Sequence, residues 1–306
     1  MTDVPNAVPA FNVVTLAPNL PGPIAAKRFA HLGAHVTKVE GPGPAADPMK
    51  AQAPAYYKHL TAGQKVVELN LKDPHGIQGL HELLADAHLL LTSSRPASLA
   101  RLGLGWDELH ERYPHLVQVA IVGHSGEHVN QAGHDLTYEA HAGTLPVGPD
   151  NTPVMPPVPL ADLAGAERAV SEGLAGLWTA TNTGVGSYHE VGLADMAEEF
   201  SDVARWGLSG PGTFLGGALP QYNLYQAKDG QWVAVAALEP HFLAACAEVM
   251  DFGDAQPSMD AGPTFGLQHR HYQHAIAQRT AAEWDTVASE KNIPIAAVRQ
   301  HTQPTN

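Results

Sequence analysis

Asn12-Val13-Val14-Thr15-Leu16-Ala17 is a short β-branched and apolar run that stops at Pro18, and Pro21-Gly22-Pro23 then leads into a helical pattern from Ile24 to Leu32. Gly33 closes that helix, and His35-Val36-Thr37-Lys38-Val39-Glu40 reads as a second strand. A strand, a helix ended by glycine and another strand make a β-α-β unit. The same grammar recurs downstream. Lys65 to Leu71 reads as a strand, Asp73 caps a helix with Pro74 at its first position, and His88 to Thr92 is the next strand. Trp106 to Tyr113 predicts a helix and Leu116 to Val122 a strand. Such alternation implies α/β architecture: a parallel sheet with helices on both faces and ligands beyond the C-terminal ends of the strands.

Farther along, Leu163 to Thr181 carries small and apolar residues at helical spacing, and Gly165, Gly173 and Gly176 allow close packing. Asn182 to Gly186 reads as a turn, Ser187 to Gly192 as a strand and Leu193 to Trp206 as a helix. The texture then changes, with five glycines and one proline between Gly207 and Gly217. This predicts a large domain over 1–206, a linker over 207–220 and a small α+β domain over 221–306. In the small domain, Tyr222 to Gln226 and Gln231 to Ala236 flank Lys228-Asp229-Gly230, a hairpin signal. Glu239-Pro240 opens a helix from His241 to Met250, and His269 to Gln278 reads as another. Thr280 with Glu283 is a capping box for a helix over Ala281 to Lys291, and Ile295 to Val298 predicts a last strand.

A chain of 306 residues, 44% of them hydrophobic, can bury a sizeable core, and no apolar run approaches the ~20 residues that cross a bilayer. With Lys plus Arg at 17 against 31 acidic residues, the net charge of −14 argues against general attraction to nucleic acid or anionic membranes. The single cysteine, Cys246, excludes an intrachain disulfide framework, and the N-terminal residues show no secretory pattern, so a cytoplasmic location is expected. Eighteen histidines make any one of them uninformative alone.

Gly41-Pro42-Gly43-Pro44-Ala45 lacks the third glycine of a dinucleotide loop, follows the second strand rather than the first and does not lead into a helix. There is no Gly-x-Ser-x-Gly elbow and no metal-ligand spacing among the histidines, so no metal is expected. The most specific stretch is Gly133-His134-Asp135-Leu136-Thr137-Tyr138, followed by the stiff run Pro153 to Pro159 and by Leu160-Ala161-Asp162 at the head of a long helix. It offers one imidazole and one carboxyl from neighbouring segments, an acid/base pair. Taken singly, His134 reads as a polar loop residue, Asp162 as a helix N-cap, Glu239 as a helix start and Arg95 before Pro96 as a surface group.

Several segments, in order, resemble the family III CoA-transferases, and within them the α-methylacyl-CoA racemases. They are Lys38-Val39-Glu40, Leu69-Asn70-Leu71-Lys72, Arg95-Pro96, Arg101 to Gly105, Gly133-His134-Asp135, Asp162, and Tyr225 through Asp229-Gly230 to Glu239-Pro240. The resemblance implies a Rossmann-like large domain, a small α+β domain and two chains interlocked as a homodimer. It implies that His134 and Asp162 exchange a substrate α-proton, with Glu239 near the histidine. It also implies that the CoA moiety, with no further cofactor, lies against Leu69, Lys72, Ala87, His88, Leu89, Arg95 and the run Gly133, Asp135, Leu136, Thr137 and Tyr138. The implied partners are an acyl-CoA substrate and a second copy of the chain. The chemistry asks for these residue types on its own account, because a thioester α-proton is weakly acidic and needs a base on one face and an acid on the other. Asp162 acts as the acid only if burial beside Val158, Pro159 and Leu160 outweighs the pull of the helix N-terminus toward its anion.

The chain departs from the family pattern in four places. Gly41 stands where the family has an arginine, Thr61-Ala62-Gly63-Gln64-Lys65 replaces a basic run, a turn that normally ends in glutamine ends in Gly186-Ser187, and the sequence stops at Asn306. Two other readings stay open: CoA transfer with Asp162 as nucleophile, and a non-catalytic protein that keeps the fold.

Overall fold

The computed structural model describes residues 11–148, 150–258 and 260–299; Asn306 lies outside them. The chain divides into two compact units, residues 1–201 and 202–306, and the division falls inside a helix ahead of the glycine-rich segment 207–220.

The first unit is built on β1 (Asn12–Thr15), α1 (Pro21–His31), β2 (His35–Glu40), α2 (Met49–Gln52), α3 (Pro54–Leu60), β3 (Lys65–Glu68), α4 (Pro74–Ala85), β4 (Leu89–Thr92), α5 (Pro96–Ala100), α6 (Trp106–Arg112), β5 (Val117–Val122), α7 (Asp135–Ala142), α8 (Leu160–Thr183), β6 (Tyr188–Gly192) and α9 (Leu193–Arg205). Its six strands are parallel in the order β3-β2-β1-β4-β5-β6. β1 therefore pairs with β2 on one side and β4 on the other, in the register Val13 opposite Val36 and Leu89. The strand order reverses between β1 and β4, which opens a crevice at their C-terminal ends.

Both faces of the sheet are covered, so the central strands are apolar without alternation. Val13, Leu89 and Leu91 pack into one cluster with residues of α1 and α8, whereas Val14 and Leu90 join Leu80 and Leu84 of α4 on the other face. α8 sits close because Gly173 leaves room: a Cβ there would lie 2.7 Å from both Leu89 Cδ1 and Phe29 Cζ. The start of α4 is capped as its sequence predicts, the Asp73 carboxylate accepting from the His75 N–H at 2.8 Å. α2, α3, α5 and α7 are helices that the sequence reading left unassigned.

The second unit contains β7 (Tyr222–Gln226), β8 (Trp232–Ala236), α10 (Pro240–Ala247), α11 (His269–Ile276), α12 (Ala281–Lys291) and β9 (Ile295–Ala297). The strands form an antiparallel sheet in the order β7-β8-β9. Its core gathers Tyr225, Val233, Val235, Leu243, Tyr272 and Trp284. The capping box at α12 is present, the Thr280 hydroxyl accepting from the Glu283 N–H at 3.3 Å and the Glu283 carboxylate from the Thr280 N–H at 2.8 Å. Among the described residues no helix is long and apolar enough to cross a membrane.

Candidate active site

The crevice is walled by the turns that follow β1, β4 and β5. After β1, residues 16–20 form a loop in which Asn19 takes a left-handed conformation, φ 68°. That conformation is uncommon for a residue with a side chain, and here a buried carboxylate holds it. Asp47, 4% exposed, accepts the Asn19 N–H at 3.2 Å and the Met49 N–H at 3.1 Å, while its other oxygen takes the Lys38 Nζ at 2.9 Å. Lys38 Nζ also donates to the Ala17 carbonyl at 3.2 Å. The Lys38-Val39-Glu40 segment is thus an internal brace, and Glu40 completes it by accepting from the Tyr57 hydroxyl at 2.7 Å.

After β5 the chain reaches His134, the N-cap of α7. The Thr137 hydroxyl accepts from the His134 N–H at 3.1 Å and donates to the His134 carbonyl at 2.7 Å. Gly133 is dictated by close approach, because a Cβ there would lie 2.3 Å from the Tyr138 ring. Tyr138 is buried, and burial first, then the Asp162 charge, hold its phenol above the usual range while Arg95 opposes them. It stays a neutral hydrogen-bond donor.

α8 begins at Leu160, two residues before Asp162, with Pro159 as N-cap. Asp162 is consequently in the first turn and is not the N-cap that its residue type alone suggests. Two first-turn donors of α8 are taken by carboxylates of α7: Leu160 N–H donates to Glu139 Oε1 at 3.1 Å and Asp162 N–H to Asp135 Oδ1 at 3.0 Å. With those donors engaged, burial decides the state of Asp162. Its carboxyl is pushed up to about 6, chiefly by burial and then by the Asp135 charge, with His134 pulling the other way.

His134 and Asp162 line one cavity of about 300 Å³ together with Asn19, Ser93, Gly123 and Tyr138. A second cavity of about 260 Å³ shares His134, Ser93 and Tyr138 and adds Arg95 and Gly133. A third, also about 260 Å³, lies at the ends of β2 and β3 and is lined by Lys38, Glu40, Asp47, Leu69, Lys72 and Ser94. Arg95 and Lys72 are exposed cations. Such groups pair with phosphate in an otherwise acidic chain.

The remaining expected contacts fall elsewhere. Ala87, His88 and Leu89 sit at the N-terminal edge of the sheet, where His88 N–H donates to the Asn12 carbonyl and Ala87 and Leu89 have no exposed surface. The crevice is at the opposite edge. The Asp135 carboxylate is turned to α8, Leu136 is exposed, and Thr137 faces a separate cavity with His124, His141 and Asp195. Glu239 is the exposed N-cap of α10 in the second unit and makes no capping bond. Gly41, where an arginine was expected, is fixed by packing: a Cβ would lie 2.6 Å from Ala45 Cβ and 2.8 Å from the Ala45 carbonyl. Asn19, Ser93 and Glu139 escaped the sequence reading. For Glu139 a signal existed, the i,i+4 spacing from Asp135 that puts two carboxyls on one helix face.

Among the described residues no group of three or more His, Cys, Asp or Glu side chains is placed to hold a metal. The family model for CoA-transferase family III matches residues 10–305. The chain is 30% identical to human succinyl-CoA:glutarate CoA-transferase over 256 residues, which covers 76% of this chain and 57% of that relative. It is 29% identical to human alpha-methylacyl-CoA racemase over 291 residues, 91% of this chain and 74% of that one. The fold matches the crystal structure of Rv3272 from Mycobacterium tuberculosis with a TM-score of 0.78 at 23% identity, covering 96% of this chain and 84% of the other.

Proposed function

Because the chain belongs to CoA-transferase family III, we propose that it is a racemase or epimerase of 2-methyl-branched acyl-CoA thioesters. The proposal includes a homodimer in the cytoplasm and no cofactor beyond the CoA moiety of the substrate. The observation that carries it is one shared cavity holding the His134 imidazole and an Asp162 carboxyl pushed up to about 6. A carboxyl raised toward neutrality can hold the proton that a general acid gives up.

In the forward direction the neutral His134 imidazole takes the α-proton, the C–H electron pair moves into the C=C bond of an enolate, and the carbonyl oxygen becomes negative. The Ser93 and Tyr138 hydroxyls on the same cavity are donors for that oxygen. The Asp162 carboxyl then gives its proton to the opposite face of the α-carbon, and reversal exchanges the roles. Arg95 and Lys72 take the CoA phosphates in this reading.

Incubation of a 2-methyl-branched acyl-CoA in deuterated water is expected to give α-deuterium incorporation, and His134→Ala and Asp162→Ala each to lower its rate about a hundredfold or more. Exchange that is unaffected in both variants overturns the reading. CoA transfer is the second reading, favoured by the likeness to succinyl-CoA:glutarate CoA-transferase. It predicts an acyl group on Asp162 that hydroxylamine traps; proton exchange predicts none.

A further inference from the structure

Glu139 has no part in the proton exchange proposed above, yet it is a carboxyl with 2% exposure. Burying an acid is costly unless its oxygens are engaged. Its Oε1 accepts the Leu160 N–H at 3.1 Å, at the first residue of α8. One turn earlier on the same face of α7, Asp135 Oδ1 accepts the Asp162 N–H at 3.0 Å, at the third residue of α8. Asp135 also lies beside Glu139 and, after burial, helps to push the Glu139 carboxyl up. α7 is thereby fastened to the N-terminus of α8 at two points.

The fastened ends are the ones that matter to the cavity. His134 is the N-cap of α7, and Asp162 is in the first turn of α8. A carboxylate in the first turn of a helix is ordinarily favoured as an anion by free N–H donors and by the helix dipole. In this chain those donors are turned toward α7. We propose that Glu139 is a positioning residue: its carboxyl, holding the Leu160 N–H while Asp135 on the same helix face holds the Asp162 N–H, locks α7 to α8 so that His134 and Asp162 face one cavity, and keeps the Leu160 donor from Asp162. The inference rests on the racemase reading for its catalytic meaning and on geometry alone for the clamp.

Burial, first, and the hydrogen bond with Asp135 push the Glu139 carboxyl up, and the Leu160 N–H opposes them. The groups facing it are Asp135 on its own helix, Thr144 just beyond that helix, and the head of α8, which carries Asp162. Glutamine keeps the size of Glu139 and a carbonyl that accepts from the Leu160 N–H. Leucine keeps much of the volume and none of the bonds.

The test uses the full chain with Glu139→Leu and Glu139→Gln. Two quantities are read: α-deuterium exchange of a 2-methyl-branched acyl-CoA across pH, and titration of the Asp162 carboxyl by 13C NMR without substrate, assigned with Asp162→Asn. Glu139→Leu is expected to lower kcat for exchange about tenfold, to leave KM within about twofold, and to move the Asp162 titration to lower pH. Glu139→Gln is expected to keep rate and titration at their wild-type values, because it keeps the acceptor for the Leu160 N–H. An Asp162 titration unmoved by Glu139→Leu overturns the proposal. Should the leucine variant fail to fold, a displaced titration or a lost rate in Glu139→Gln overturns it instead. Absence of exchange in the wild-type chain defeats the racemase reading, and the carboxyl titration still decides the clamp.

Discussion

Two imidazole–carboxyl couples of the first unit, His189 with Glu172 and His134 with Asp162, differ in what surrounds them. His189 on β6 has its Nδ1 3.0 Å from Glu172 Oε2 on α8 and its Nε2 2.7 Å from the Ser187 hydroxyl. On distances alone this is a serine–histidine–carboxylate chain. The α8 backbone closes over it: a Cβ on Gly176 would lie 2.9 Å from His189 Nε2 and 3.1 Å from Ser187 Oγ. That side of the imidazole is closed to a substrate carbon. His134 and Asp162 are the converse, lining an open cavity with no donor to the Asp162 carboxylate among the described residues. A couple whose polar atoms are satisfied by each other is a cross-link; one left unsatisfied beside a cavity is destabilising and free to react.

The sharpest way to break this contrast is to make the same change in both couples. His134→Gln is expected to lower α-proton exchange about a hundredfold or more with little change in thermal stability. His189→Gln is expected to do the reverse, leaving exchange intact while costing about 1–2 kcal/mol, because Glu172 and Ser187 both lose a partner. Urea titration and the deuterium assay on the two purified variants read both quantities. Loss of exchange in the His189 variant would merge the two couples into one functional class.

Asp162→Asn sharpens the contrast through pH. A carboxyl raised in the folded state from 3.8 to about 6 favours folding fully below its unfolded value, and that contribution is lost as pH rises through the folded value. Asparagine has no charge to bury. The variant is therefore expected to match wild type below about pH 4 and to become the more stable protein by pH 7. The ceiling is about 3 kcal/mol, and partial exposure of the carboxyl lowers this to ~1–2 kcal/mol. Urea titrations at acid and neutral pH check it; a variant less stable than wild type at pH 7 contradicts the account of Asp162 as a strained acid.

How far these features were legible in the sequence follows from how local their causes are. β2 and α12 begin and end where the sequence reading placed them, at His35 and Glu40 and at Ala281 and Lys291, because glycine, threonine and glutamate at their ends are local signals. α3, α5 and α7 are too short for an apolar period to declare itself, and α7 opens with His134 rather than a residue with cap preference. His134 and Asp162 were found through one motif and one helix start. Glu139 was not, since its meaning depends on the head of a helix twenty-one positions away. Ala87, His88 and Leu89 are a different case. Matching segments in order says nothing about which edge of the sheet they occupy, although residues preceding a parallel strand lie away from the ligand edge.

The smallest expected effect concerns Ser187, which stands where the family pattern has glutamine. If the His189 couple is a cross-link, Ser187→Ala removes one hydrogen bond of 2.7 Å and leaves the imidazole held by Glu172. The cost is about 0.5–1.5 kcal/mol, the ordinary net contribution of one hydrogen bond. If the serine were instead activated, a fluorophosphonate probe would label it and the label would vanish in both Ser187→Ala and His189→Gln. The cross-link account expects no labelling in wild type, because the α8 backbone at Gly176 lies against both the serine oxygen and the imidazole nitrogen that would activate it. It also expects the Ser187→Ala and Glu172→Gln losses to be non-additive, since both act through the same imidazole. Labelling of Ser187 would show that satisfaction of polar groups does not separate the two couples, and approach to the nucleophile would have to be sought in an opening of α8 from β6.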